Sequence, residues 1–111
     1  MEMIDAYRQA AITHGEASTE GQARRANRAY DKLSRIRRTM RDEGTADEIL
    51  TLLDDESVFV RLWAAVDALE LSPDAGIRVL REISKGPISP TRGSAESLLE
   101  QWSAGTFVMP W

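Results

Sequence analysis

Asp55–Leu71 reads DESVFVRLWAAVDALEL, and this stretch decides the fold. Ser57 stands at an N-cap position, where its hydroxyl can accept an orphan N–H of the first helical turn. Val60, Ala64, Ala68 and Leu71 recur at helical spacing and give one apolar stripe, which Trp63 and Leu69 widen. The two alanines let a neighbouring helix come close. Asp55 and Glu56 favour the positive end of the helix dipole. The spacing therefore predicts a buried helix from Val58 to about Glu70, inside a stack of helices.

The same signals extend in both directions. A first helix is expected from about Met3 to His14, reaching Ala17 at most, because Gly15 weakens it. Thr19 and Gln22 read as a capping box that opens a long second helix, about Glu20 to Glu43. Its buried stripe is Ala26, Tyr30, Leu33, Ile36 and Met40, and Gly44 suits the left-handed residue at its end. Thr45 and Glu48 form a second capping box before a short helix, about Ala46 to Leu53. Ser72-Pro73 and Ser89-Pro90 open two more helices, since proline is tolerated in a first turn. Gly86-Pro87 ends the first of these and Gly105 the second. Ala95, Leu98, Leu99 and Trp102 are the expected buried face of the last helix. A shift of 31 residues superposes Ile49 on Leu80, Arg61 on Arg92, Ala64 on Ala95 and Leu71 on Trp102, a weak internal repeat.

Several separated residues carry a family resemblance. They are Tyr7, His14-Gly15 with Ala17, the run Asn27–Asp31 with Leu33, the segments Leu52–Asp55 and Val60–Ala65, and Trp102 with Gly105. On these the whole chain resembles a bacterial family of HEAT-like single domains labelled as a domain of unknown function. The resemblance implies an all-α fold of six helices in antiparallel pairs, forming a HEAT-like right-handed helical stack. The Asp55-to-Arg61 spacing is similar to the pair that ties neighbouring helix pairs together in HEAT repeats. Residues 1–105 are the expected domain: an N-terminal hairpin over 1–44, a first HEAT-like pair over 45–71 and a second over 72–105. Residues 106–111 form an apolar tail. The family carries no established activity. Small acidic helical proteins of this kind are often bacterial immunity proteins that neutralise a partner toxin, which is an analogy of class.

Composition narrows the function classes. The 111 residues are 42% apolar and 29% charged, which fits a globular domain and excludes wholesale disorder. The absence of cysteine excludes a disulfide framework and a cysteine metal site, and fits a cytoplasmic location. The start, MEMIDAYRQ, lacks the basic and apolar regions of a signal peptide. No apolar run approaches the roughly 20 residues that span a bilayer, so no membrane association is expected. Net charge is −4, but Glu20–Glu43 alone carries eight basic and four acidic residues. A basic helix in an otherwise acidic molecule disfavours general nucleic-acid affinity.

No phosphate loop, nucleophile motif or calcium loop is present, so neither an enzyme nor a cofactor or metal is expected. His14, the sole histidine, reads as structural, bonding the last carbonyls near a helix end or a neighbouring side chain. Asn27 reads as a structural partner for His14 or the adjacent turn. Asp55 and Arg61 also read as structural. The expected function is protein binding of the immunity type. Asp47, Glu48, Asp54 and Glu56 would meet a basic toxin domain, and Phe107, Met109 and Trp111 would anchor it. Two alternatives remain open. Arg24, Arg28, Arg35 and Arg38 offer a nucleic-acid face. A homo-oligomer or scaffold subunit built on the apolar tail is the other.

Overall fold

The computed structural model describes residues 2–109. Its elements are α1 (Met3–Thr19), α2 (Ala23–Asp42), a 3₁₀ segment (Ala46–Asp54), α3 (Val58–Leu71), α4 (Pro73–Ser84) and α5 (Pro90–Ala104). The fold is all-α, with no strand among the described residues. α1 packs on α2, α3 packs on the 3₁₀ segment and α4, and α4 packs on α5. Contacts also join α1 to α3 and α3 to α5, while the 3₁₀ segment touches both α2 and α4. Two rows result: α1, α3 and α5 in one, and α2, the 3₁₀ segment and α4 in the other. One apolar core runs through both, from Tyr7 through Leu33, Ile49, Leu69 and Leu80 to Ala95.

The helix starts and stops show how local signals compete. α1 does not end near His14 but continues to Thr19. Gly15 is the reason: a Cβ there would lie 2.2 Å from Cγ of Phe59, so the bare backbone makes room for that ring. A tertiary contact outweighs the weak helix propensity of glycine. Neither expected capping box forms. The Thr19 hydroxyl donates instead to the Gly15 carbonyl at 2.8 Å, and Gln22 N–H closes α1 on the Ala17 carbonyl at 2.8 Å, around Gly21 at φ +72°. Thr45 N–H likewise closes α2 on the Met40 carbonyl at 2.8 Å, around Gly44 at φ +75°. Residues already engaged in ending one helix do not cap the next. Ser57 and Ser89 do cap, accepting from Val60 N–H at 3.4 Å and Arg92 N–H at 3.1 Å. Ser72 does not.

Burial departs from the expected stripes at the edges. Leu71 is 38% exposed, so the buried face of α3 ends at Leu69. On α5 only Ala95 of the expected four is fully buried, and Leu98, Leu99 and Trp102 are half-buried. α5 ends its row and lacks a neighbour on one side. Close packing elsewhere depends on Gly76, where a Cβ would stand 2.7 Å from the Ala65 carbonyl oxygen and 3.0 Å from the Leu69 nitrogen. Gly93, within α5, has nothing inside 4 Å of the equivalent point. Gly76→Ala should therefore destabilise by about 1–3 kcal/mol through overpacking against backbone. Gly93→Ala should stabilise by about 0.5–1 kcal/mol through helix propensity. Thermal melts followed by circular dichroism should show the two shifts with opposite signs.

Candidate binding groove and the charge network beneath it

Three helices meet at one buried carboxylate. Asp67 of α3, fully buried, accepts from the Tyr7 hydroxyl of α1 at 2.5 Å and from Arg37 Nε of α2 at 2.7 Å. Arg37 Nη2 pairs with the same carboxylate. Tyr7 and Arg37 are also completely buried. Burial is the largest influence on Asp67 and raises its pKa from 3.8 to about 6, against the lowering effects of Arg37 and Tyr7. Burial, then the adjacent carboxylate, pushes the Tyr7 hydroxyl well above its usual range. At neutral pH the network therefore holds a charged Asp67–Arg37 pair and a neutral tyrosine. A second link between α2 and α3 lies at the surface, where Arg41 pairs with Glu70.

The network supports an aromatic cluster. The Arg37 guanidinium carbon lies 5.5 Å from the ring centroid of Trp63, a cation–π distance. His14 meets the same indole edge-on at 5.2 Å, and Tyr30 lies 5.9 Å from it. His14 is not at a helix end, because α1 runs on past it, and it is held by rings rather than by terminal carbonyls. Partial burial lowers its pKa below 6.5, so the imidazole is neutral at pH 7. Asn27 does not reach it: that side chain is exposed on α2 and makes no hydrogen bond among the described residues.

Trp63, with Phe59, Leu62 and Val66, forms the floor of an open groove of about 640 Å³. One wall is the C-terminal half of α1, at His14, Gly15 and Ser18. The opposite wall is α5, at Ser94, Ser97 and Leu98, and Phe107 and Val108 close the side next to it. No Asp, Glu, Lys or Arg is among the described lining residues. In a chain with 29% charged residues this absence is informative. The groove exists because α1 and α5 flank α3 without packing on each other.

The structure divides the expected site residues among separate places. Phe107 is half-buried against the Trp102 ring, 6.0 Å away, and borders the groove. Met109 is partly buried, and Trp111 lies outside the described residues. Asp47, Glu48, Asp54 and Glu56 are all exposed on the 3₁₀ segment and the turn before α3. Glu56 approaches Arg8 Nη2 at 3.7 Å. The Asp55 carboxylate meets a different partner from the expected Arg61. It accepts from Arg8 at 2.8 and 3.2 Å and from Ser57 N–H at 2.9 Å. Arg61 binds the Asp55 backbone carbonyl, at 2.7 Å. The hydrogen bond from Arg8, more than any other influence, holds the Asp55 pKa below the usual carboxylate value. Arg24, Arg28, Arg35 and Arg38 are exposed on α2, and none lines the groove. No group of three metal-ligating side chains occurs among the described residues, and none of their helices is long and apolar enough to cross a membrane.

Sequence reasoning missed Arg37 and Asp67. Their signal was a charge on an apolar stripe: Arg37 falls in register with Leu33 and Met40, and Asp67 with Ala64. No family model matches the chain, and no curated protein does. A solved structure, that of the protein RPA1889 from Rhodopseudomonas palustris CGA009, superposes with a TM-score of 0.87. It is 23% identical over 96% of this chain and 89% of its own. At that identity the likeness shows the fold alone.

The two carboxylates respond oppositely to acid. The folded pKa of Asp67 stands above 3.8, so the proton-linked part of its contribution to stability is full below that value and is lost as pH rises through about 6. The folded pKa of Asp55 is lowered, so its contribution is present above 3.8 and is lost as pH falls. Asp67→Asn leaves Arg37 buried without its counter-charge and should cost about 3–5 kcal/mol at pH 7.5. Melts of both proteins should show the gap in Tm widening between pH 7.5 and pH 5. A gap that narrows in acid would contradict the raised pKa.

Proposed function

We propose that the chain is a non-catalytic protein-binding module and that its groove receives an apolar helical segment of the partner. The uncharged lining is the observation that carries this reading. An aromatic and aliphatic floor between two helical walls is the form in which an amphipathic helix lays down its apolar face. Ser18, Ser94 and Ser97 on the walls are small and leave room for the incoming side chains. Trp63 is a suitable central anchor, since Arg37 and His14 hold its ring in place before a partner arrives.

The acidic residues then act as a rim. Asp54 and Glu56 stand just before Phe59, which belongs to the groove floor. A partner with basic residues flanking its apolar segment would be steered by them, with an effect on association rate and salt dependence more than on final affinity. In its immunity-type form, this reading makes the partner a toxin domain with a basic surface, bound to a HEAT-like stack.

Ser94→Glu/Ser97→Glu places two charges in the groove from exposed helix positions and should leave the melting temperature nearly unchanged. Tagged wild-type protein, used as bait in lysate of the cells that make it, should retain one stoichiometric protein partner that this variant loses. Asp54→Lys/Glu56→Lys should weaken the same complex at low salt and change it little at high salt. Equal retention by the Ser94→Glu/Ser97→Glu variant would remove the groove as the binding site.

A further inference from the structure

α2 presents a second surface, and the pairing of its arginines sets that surface apart. Arg25 binds Gln22 at 2.9 Å and lies 3.9 Å from Glu20, Arg37 pairs with Asp67, and Arg41 with Glu70. These side chains are matched within the molecule. Arg24, Arg28, Lys32, Arg35 and Arg38 are all exposed, and none forms an ion pair or side-chain hydrogen bond among the described residues. They succeed one another by four, four, three and three positions, so they form one row along the helix face. From Arg24 to Arg38 the row is about 21 Å long. Like charges at these spacings repel each other within α2. Asp31, between Arg28 and Arg35, and Asp42, four positions after Arg38, lie on the same face without pairing to the row.

A chain with more acidic than basic residues leaves its longest row of cations unmatched. We propose that this face of α2 is a docking surface for an acidic helical segment of a protein. Carboxylates three and four positions apart on such a helix repeat with the same period as the row. Arginine, four of the five cations, meets carboxylates with a planar two-point geometry that lysine lacks. The charge of the remainder argues for a short acidic segment over a long polyanion. Outside Glu20–Glu43 the chain carries six basic and fourteen acidic residues, which would repel a nucleic acid running past the ends of the row. The face also has no exposed aromatic side chain on which bases could stack. Because α2 contributes nothing to the groove, the two surfaces can be occupied together and tested apart.

The test uses the full chain and a labelled synthetic helix of about 20 residues, with glutamates at three- and four-residue spacing on one face and uncharged residues elsewhere. Fluorescence anisotropy should show binding at about 50 mM salt that weakens at least tenfold by about 300 mM. Arg24→Gln/Arg28→Gln/Arg35→Gln/Arg38→Gln should abolish it with an unchanged helical spectrum, and either adjacent double variant should weaken it. Ser94→Glu/Ser97→Glu should bind the peptide as the wild type does. Absence of binding at low salt, equal binding by the quadruple variant, or loss of binding in the groove variant would each overturn the proposal. So would tighter binding of a single-stranded oligonucleotide of about 20 nucleotides, which would make the face a nucleic-acid surface instead.

Discussion

The fold turns on a single carboxylate shared by three helices. Asp67 ties Tyr7 of α1 and Arg37 of α2 to α3, with all three side chains out of water. A buried ion pair gains little net stability over a well-packed apolar core, because both charges must leave water. Its value lies in geometry. An apolar stripe tolerates a helix that slides by a fraction of a turn, whereas three groups converging on one carboxylate do not. The cost of any other arrangement is a buried charge without a partner. That constraint fixes α1 and α2 as a unit against α3, even though α2 and α3 share few direct contacts elsewhere.

The groove follows from this placement. With α1 held on one flank of α3 and α5 on the other, the face of α3 bearing Phe59, Leu62, Trp63 and Val66 remains uncovered. Trp63 joins the two levels of the structure, since Arg37 lies near its ring from within and the indole forms part of the groove floor. The residue that specifies the packing therefore also steadies the central side chain of the candidate surface. Gly15 contributes in the same way, by admitting the Phe59 ring against α1. Charge is distributed around the groove and not within it, with acids on the 3₁₀ segment and the turn and arginines along α2.

Much of the architecture was legible in the sequence, and the failures share a cause. The stripe of α3, the Ser-Pro start of α5 and the glycine stops at Gly44 and Gly105 are local signals, and local physics decided them. The capping boxes were also local signals, but Thr45 and Gln22 were already engaged in closing the preceding helix. The length of α1 depended on Phe59, some 40 residues away, which no pattern around Gly15 reveals. Asp67 and Arg37 were read past because each sits on a stripe whose other members are apolar. The acidic and basic residues of the candidate surfaces could be named from sequence. The groove could not, because it is made from parts of α1, α3 and α5 whose juxtaposition only the tertiary structure provides.

In the proposed function a partner sits in the uncharged groove over α3. Site-specific photocrosslinking tests it most directly. A photoreactive phenylalanine analogue placed at Ser97, inside the groove, is compared with one at Arg81, exposed on α4, in the cells that make the protein. One discrete protein adduct is expected from position 97 and none from position 81. An adduct formed equally from position 81, or none from position 97 while a partner still copurifies, would contradict that placement.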